Sequence, residues 1–205
     1  VVLLEANRIG WGASGRNGGH VGTGQRADQA ALEKWVGLDA AKGLWQLGLD
    51  AVRKVESLVN EFDIQCEFGE GNLHLASKSS HADDLESEVA HLKNTYNYNG
   101  ASYLCSNQVA ELTSAQGSYG GMLDSGARHL HPLKYALGLK HAAMQLGAEL
   151  YENTPALTYQ EGGKTVIKTP EGQVRARVLV LACNGYLGNL EPRIAGNMMP
   201  INNFM

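Results

Sequence analysis

Glu5 closes the apolar run Val1-Val2-Leu3-Leu4, and the ten residues from Gly10 to Gly19 hold five glycines. A carboxylate at the carboxyl end of a buried strand can accept two hydroxyl hydrogen bonds, which suits the vicinal diol of a ribose. Glycines let backbone N–H groups approach an anion closely, and a helix beginning there would add its positive end. Ser14, Arg16 and Asn17 stand between the glycines, and the Arg16 guanidinium suits phosphate oxygens. Together these residue types and spacings describe a grip on a dinucleotide. In such sites the phosphate-binding glycine run lies about 20 residues before the ribose carboxylate. That position falls before residue 1, so the sequence is expected to begin inside a domain.

The elements that must hold these residues follow from periodicity. Residues 1–5 read as a buried strand. Helices are predicted over 27–36 and 39–62, the second with an apolar stripe of Leu44, Leu47, Val52, Val55, Leu58, Val59 and Phe62. Residues 66–68 and 72–77 look like strands flanking a Gly69-Glu70-Gly71 turn. A helix follows over 80–95 with Ser80 as its N-cap. Residues 104–113 carry a strand end and a small helix, and 119–128 are glycine-rich and expected to be irregular. Pro132 opens a helix that Gly147 stops near Leu146.

Strand candidates are 148–151, 156–160, 165–169 and 174–183, with Gly162-Gly163 and Glu171-Gly172 as hairpin turns. Val178 to Ala182 is apolar throughout, as expected of a parallel strand buried on both faces. Residues 198–205 resemble the start of another strand. The order implies an α/β protein with an α+β insert. A discontinuous Rossmann-like nucleotide domain (1–61 and 127–195) would carry an inserted sheet-containing domain (62–126 and 196–205), both incomplete.

Composition narrows the partners. A net charge of −4 argues against nucleic acid, which needs concentrated Lys and Arg. No apolar run approaches the roughly 20 residues of a membrane span, and the N-terminus reads as a strand rather than a signal peptide. Cys66, Cys105 and Cys183 are too scattered for a disulfide framework or a zinc site, so a reducing cytoplasm and packing roles are expected. The apolar setting of Cys183 argues for an inert thiol. His129 and His131 lack a third metal ligand. His74, His81, His91 and His141 read as surface or packing residues, and Trp35 and Trp45 as core.

Leu3-Leu4-Glu5-Ala6, followed by Ile9-Gly10-Trp11-Gly12-Ala13-Ser14-Gly15-Arg16-Asn17-Gly18-Gly19, resembles the FAD-dependent amine oxidase family. That family includes D-amino acid oxidase, glycine oxidase and sarcosine oxidase, and the likeness is greatest to its gamma-glutamylputrescine oxidase-type members. Three later segments agree in order: His131-Pro132-Leu133-Lys134, Thr154-Pro155-Ala156, and Val178 to Tyr186. The resemblance covers the whole chain but only the middle of the family's length, which implies a fragment truncated at both ends.

The resemblance implies roles for particular residues. Glu5 would bind the adenosine ribose. Ala13, Ser14, Arg16, Asn17, Gly18 and Gly19 would lie along the pyrophosphate and flavin. Ala156, where the family usually has Val, would offer its backbone to adenine, and Ala182 and Gly185 would line the cofactor. His20 stands where relatives often carry Gln; a hydrogen-bonding role is expected, with a covalent flavin link as the alternative.

The implied reaction is oxidation of a carbon–nitrogen bond in a small amine or amino acid. Hydride passes to the flavin, the imine hydrolyses, and dioxygen reoxidises the flavin to give hydrogen peroxide. No catalytic acid–base pair stands out, and none is required if the amine arrives neutral. Two other readings stay open: a folded remnant or interaction module that binds FAD weakly or not at all, and a nicotinamide-dependent dehydrogenase, which fits the glycine string poorly.

Overall fold

In chain order the elements are β1 (Val2–Leu4), β2 (His20–Val21), α1 (Gln29–Val36), α2 (Leu38–Glu61), β3 (Gly69–Leu75), α3 (Ser79–Tyr96), β4 (Ala101–Cys105), α4 (Ser106–Leu112) and β5 (Gly120–His129). Then come α5 (Pro132–Gln145), β6 (Glu149–Tyr151), β7 (Thr158–Gln160), β8 (Thr165–Lys168), β9 (Gln173–Ala176) and the short α6 (Pro192–Ala195). This computed structural model describes residues 1–201. Two compact units emerge: Val1–Gly18 with the chain from Pro132 onward, and Gly19–His131.

In the Gly19–His131 unit, the segment expected to be irregular is the central strand. β5 pairs antiparallel with β2, β3 and β4, and its ten residues make it the longest strand described. Its glycines serve close approach rather than freedom. A Cβ on Gly121 would sit 2.9 Å from the His74 carbonyl oxygen, and one on Gly126 would sit 2.1 Å from the Tyr98 hydroxyl. Three flanking strands override the low β-propensity of glycine, because propensity reflects packing more than backbone preference. The Gly69-Glu70-Gly71 triplet is not a turn either. β3 runs through it with a register slip between Glu70 and Asn72, and Gly71 adopts φ 82°, which makes it a bulge.

Helices cover this sheet. α2 buries Ala41, Trp45, Gly48, Val52 and Val59; of the expected stripe Val52 and Val59 are buried, Leu44, Val55, Leu58 and Phe62 are half-buried, and Leu47 alone is exposed. Trp45 is core, as its type suggests; Trp35 is 70 % exposed, against expectation, because it lies off the buried face of α1 that Gln29 and Leu32 define. Asp28 caps α1 by accepting from the Ala31 N–H at 2.7 Å. On α3 the N-cap is Lys78, not Ser80, and no side chain caps it. Ala76, Ala82 and Leu85 pack with Tyr103 and Met122 beneath that helix.

One polar knot joins α1 to α3. Glu33 Oε1 accepts from His91 Nε2 and from the Tyr96 hydroxyl, each at 2.7 Å. The Tyr96 bond, then the His91 bond, hold the Glu33 carboxyl below its ordinary value. Burial, then Glu33, push Tyr96 up to about 12, so the phenol stays protonated at neutral pH. A lowered carboxylate stabilises the fold at neutral pH, and that contribution disappears as acid protonates it. Glu33→Gln should therefore lose less stability than the native chain between about pH 7 and about pH 4. Urea denaturation at the two pH values checks this; equal losses would contradict it.

In the other unit, β1 and β6 pair in parallel, Leu3 opposite Leu150. β7, β8 and β9 form the antiparallel meander expected from the two glycine-marked turns. Gly147, at φ 84°, follows α5 as its predicted stop. The apolar run after β9 departs from expectation. Residues 178–183 form no strand, and Val178 and Val180 are 75 % and 76 % exposed. A strand needs a ladder partner, and no described strand pairs with this run. Cys183 accordingly sits half-buried at a turn instead of in a strand. Residues 198–201 are not a strand; 202–205 lie outside the described residues.

The units divide at 18/19 and 131/132, whereas the sequence placed the boundaries at 61/62, 126/127 and 195/196. α2 goes with the inserted unit because its buried face meets that unit's own groups. Gly48 lies against Gly24, and Trp45 against the rings of Tyr96 and Tyr98 at 5.6 and 5.1 Å. Residues 127–129 go with it as the end of β5.

Candidate functional site

Glu5 follows β1 at its carboxyl end, and its backbone continues the pairing with the segment after β6. Its N–H donates to the Tyr151 carbonyl at 2.9 Å, and its carbonyl accepts from Thr154 N–H at 2.8 Å. Asn153 N–H donates to the Asn7 carbonyl at 2.7 Å, so residues 5–7 and 153–154 are fastened together; Ala156, two residues on, is half-buried. Glu5 Oε1 accepts from Asn7 N–H at 2.8 Å. Its second oxygen has no hydrogen bond among the described residues, which leaves it available to hydroxyl donors.

The glycine loop is a series of turns, and no helix starts there as the sequence suggested. Trp11 N–H donates to Arg8, Gly15 to Gly12 and Arg16 to Ala13, at 2.9, 3.3 and 3.3 Å. Gly10, at φ 80°, and Gly15 pack on Leu133 of α5, and the sequence needs glycine at both. The Asn17 amide nitrogen donates to the carbonyls of Ala13 (2.9 Å) and Ser14 (3.2 Å), so it braces the loop. Glu152 braces the loop's entrance, accepting from Ile9 N–H at 2.9 Å and pairing with Lys140 at 3.0 Å. The Ile9 bond, then Lys140, hold its carboxyl below the ordinary value.

What remains outward is a set of donors. The N–H groups of Ala13 and Ser14 and the Ser14 hydroxyl donate to nothing among the described residues, and both residues are exposed. The Arg16 guanidinium lies 4.7 Å from the centre of the Trp11 ring. Trp11 meets Tyr186 edge-on at 5.8 Å, which brings the loop to the 184–186 turn that contains half-buried Gly185. Ala182 and Gly18 are exposed.

Gly19 and His20 fall in the other unit. The Gly19 carbonyl accepts from Leu130 N–H at 2.9 Å, and His20 Nδ1 lies 2.9 Å from Asn72 Nδ2. His20 also borders a cavity of about 500 Å³ that sequence reasoning missed. Its lining includes Thr23, Asp28, Gln29, Trp45, Glu88 and Asp124. Asp124, only 8 % exposed, accepts from the hydroxyls of Thr23 and Tyr98 and from Gly126 N–H. Burial, then the bond to Asp124, push the Tyr98 phenol well above its ordinary value. Burial also raises the Glu88 carboxyl. Glu88 follows buried Leu85 by three positions and precedes buried Leu92 by four, so it stands on the core face of α3. A carboxylate on an apolar helical face was the one legible signal for this cavity.

A family model described as FAD dependent oxidoreductase (DAO) matches residues 1–205. The chain belongs to this family. It is 38 % identical over 206 residues to the probable oxidoreductase OrdL of Rhizobium meliloti, covering all of this chain and 48 % of that protein. It is 31 % identical to gamma-glutamylputrescine oxidoreductase of Escherichia coli, over 98 % of this chain and 47 % of the relative. The crystal structure of glycine oxidase from Geobacillus kaustophilus shares the fold with a TM-score of 0.73 at 22 % identity. That match covers 95 % of this chain and 51 % of that one. The chain thus spans about half the length of the curated relatives it matches.

The residues present fit the family's cofactor by their chemistry. FAD offers ribose hydroxyls that need an acceptor and a pyrophosphate that needs donors and positive charge. Glu5 supplies an open carboxylate oxygen, and Ala13, Ser14 and Arg16 supply unengaged donors. Among the described residues no cluster of His, Cys, Asp or Glu could hold a metal ion, and no helix is long and apolar enough to cross a membrane.

Proposed function

We propose that this chain forms the cofactor-gripping part of a cytoplasmic oxidoreductase that oxidises the carbon–nitrogen bond of a small amine or amino acid. The unit of Val1–Gly18 and Pro132 onward holds FAD. The Gly19–His131 unit recognises the substrate. One observation carries the reading: Glu5 is fastened to Thr154 with one carboxylate oxygen open, in the same unit as a loop of unengaged donors.

Within that unit Glu5 takes the adenosine ribose, and the N–H groups of Ala13 and Ser14 take pyrophosphate oxygens. Arg16 compensates phosphate charge while Trp11 orients its guanidinium. The Ala156 backbone faces adenine, so Ala in place of Val leaves the contact intact. Asn17 acts indirectly, by keeping the Ala13 and Ser14 carbonyls turned inward. Gly18, Ala182 and Gly185 give the cofactor room at the backbone. When bound, FAD supplies the hydride acceptor that no side chain can provide.

Glu5→Ala removes a charged acceptor and should weaken FAD binding by about 1–3 kcal/mol. Titration of FAD into both proteins, followed by flavin fluorescence, measures the difference. Equal affinity would remove Glu5 from the site. A native chain that ignores FAD altogether would favour an interaction module instead.

A further inference from the structure

We propose that Asn184-Gly185 is a self-modifying site: the Gly185 backbone nitrogen attacks the Asn184 side-chain amide, and the asparagine becomes aspartate or isoaspartate in the folded chain. Glycine follows asparagine at three places, 17–18, 99–100 and 184–185. A glycine leaves its nitrogen unshielded by a Cβ, so each pair is open to the reaction by type. The fold holds the three differently.

At 184–185 the reacting groups already meet. Gly185 N–H donates to Asn184 Oδ1 at 2.8 Å. Cγ is one carbonyl bond from that oxygen, so the attacking nitrogen stands within about 4 Å of the carbon it must reach. Asn184 sits at φ 49°, a left-handed conformation that asparagine tolerates, and it is exposed to water and base. Its Nδ2 makes no hydrogen bond among the described residues, so nothing there retains the leaving group. Asn17 is the opposite case, because its Nδ2 is held by the carbonyls of Ala13 and Ser14. Asn99 is exposed with its side chain unheld among the described residues, so it must find the geometry by chance, while the Gly100 carbonyl is fixed by Ser125 N–H and Oγ, each at 2.9 Å.

In the first step the Gly185 nitrogen gives its proton to solvent base and bonds to Cγ. The Cγ–Nδ2 bond breaks, and the amide leaves as ammonia. Water then opens the five-membered imide at either carbonyl, giving aspartate or isoaspartate; nothing is oxidised or reduced. The product matters because of what the turn carries. Leu187 N–H donates to the Asn184 carbonyl at 3.3 Å, and Leu187 is buried. In isoaspartate that carbonyl becomes part of a side-chain carboxylate and the main chain gains a carbon, so the turn opens. Tyr186 sits on the turn, and its contact with Trp11 is released with it. The pair is thus a chemical clock set against the glycine loop.

The test ages the intact chain at mildly alkaline pH and follows deamidation by mass spectrometry of tryptic peptides; cleavage at Arg16, Lys93 and Arg177 separates the three pairs. In the folded chain Asn184 should react about tenfold faster than Asn17 or Asn99. In urea the three rates should fall within about twofold of one another, because the sequence context is then all that remains. Gly185→Ala should slow the site about tenfold; its Cβ would meet only Pro200, at 3.3 Å, so the turn is kept. The Trp11 indole resonance should move as product accumulates, while that of Trp45, in the other unit, stays. Equal rates in the folded chain would overturn the proposal, as would a lead that survives in urea or an unchanged rate in Gly185→Ala. A Trp11 resonance that never moves would overturn the opening of the turn.

Discussion

Replacing Gly15 by alanine should lower the stability of the unit proposed to hold FAD by about 3 kcal/mol and weaken FAD binding roughly a hundredfold. The added Cβ would lie 2.1 Å from the Gly10 carbonyl oxygen, 2.9 Å from its carbon and 3.0 Å from Leu133. The first two are backbone atoms, so no rotamer change relieves the clash. The Gly15 N–H bond to Gly12 would have to open, and the Ala13 and Ser14 donors would turn away with it. Gly163 makes a useful contrast, since nothing lies within 4 Å of the Cβ it would gain. Chemical denaturation and FAD titration of both variants decide the matter. A Gly15→Ala chain with native affinity would mean the loop does not grip the cofactor.

The second large effect belongs to α2. A Cβ on Gly48 would meet the oxygen, nitrogen and Cα of Gly24 at 2.7, 2.9 and 3.0 Å. Helix and turn backbones touch there, and Gly24, at φ 71°, is itself pressed against the Trp45 ring. Gly48→Ala should destabilise the unit by about 2–3 kcal/mol and displace the 22–26 wall of the cavity. Gly43, exposed on the same helix with open space around it, predicts the opposite sign: alanine there should add up to about 1 kcal/mol through helix propensity. Urea unfolding of the two variants gives both numbers, and losses of equal size would show that α2 does not pack as described.

The region proposed to hold FAD was singled out from local signals. Glu5, the glycine string and Thr154-Pro155-Ala156 each declare themselves within a few residues. The meander after Gly147 did so as well, through two glycine-marked turns. The sheet of the inserted unit was not legible, because β5 draws its strand character from three partners rather than from its own residues. The reverse error befell residues 178–182: an apolar run reads as a strand, but pairing decides, and no described strand pairs with it. The cavity escaped notice because it is assembled from residues near 25, 45, 73, 88 and 124, with no motif in any one segment. Only Glu88, polar where α3 should be apolar, carried a trace of it.

The inserted unit begins and ends at one place. His20 pairs with His129, and Leu130 N–H donates to the Gly19 carbonyl at 2.9 Å. A segment whose two ends are already zipped together behaves as a cassette: a host chain can accept it, lose it or exchange it at the cost of one short splice. Such a layout lets evolution, or an engineer, transplant residues 19–131 while the pairing of β1 with β6 in the other unit is inherited unchanged.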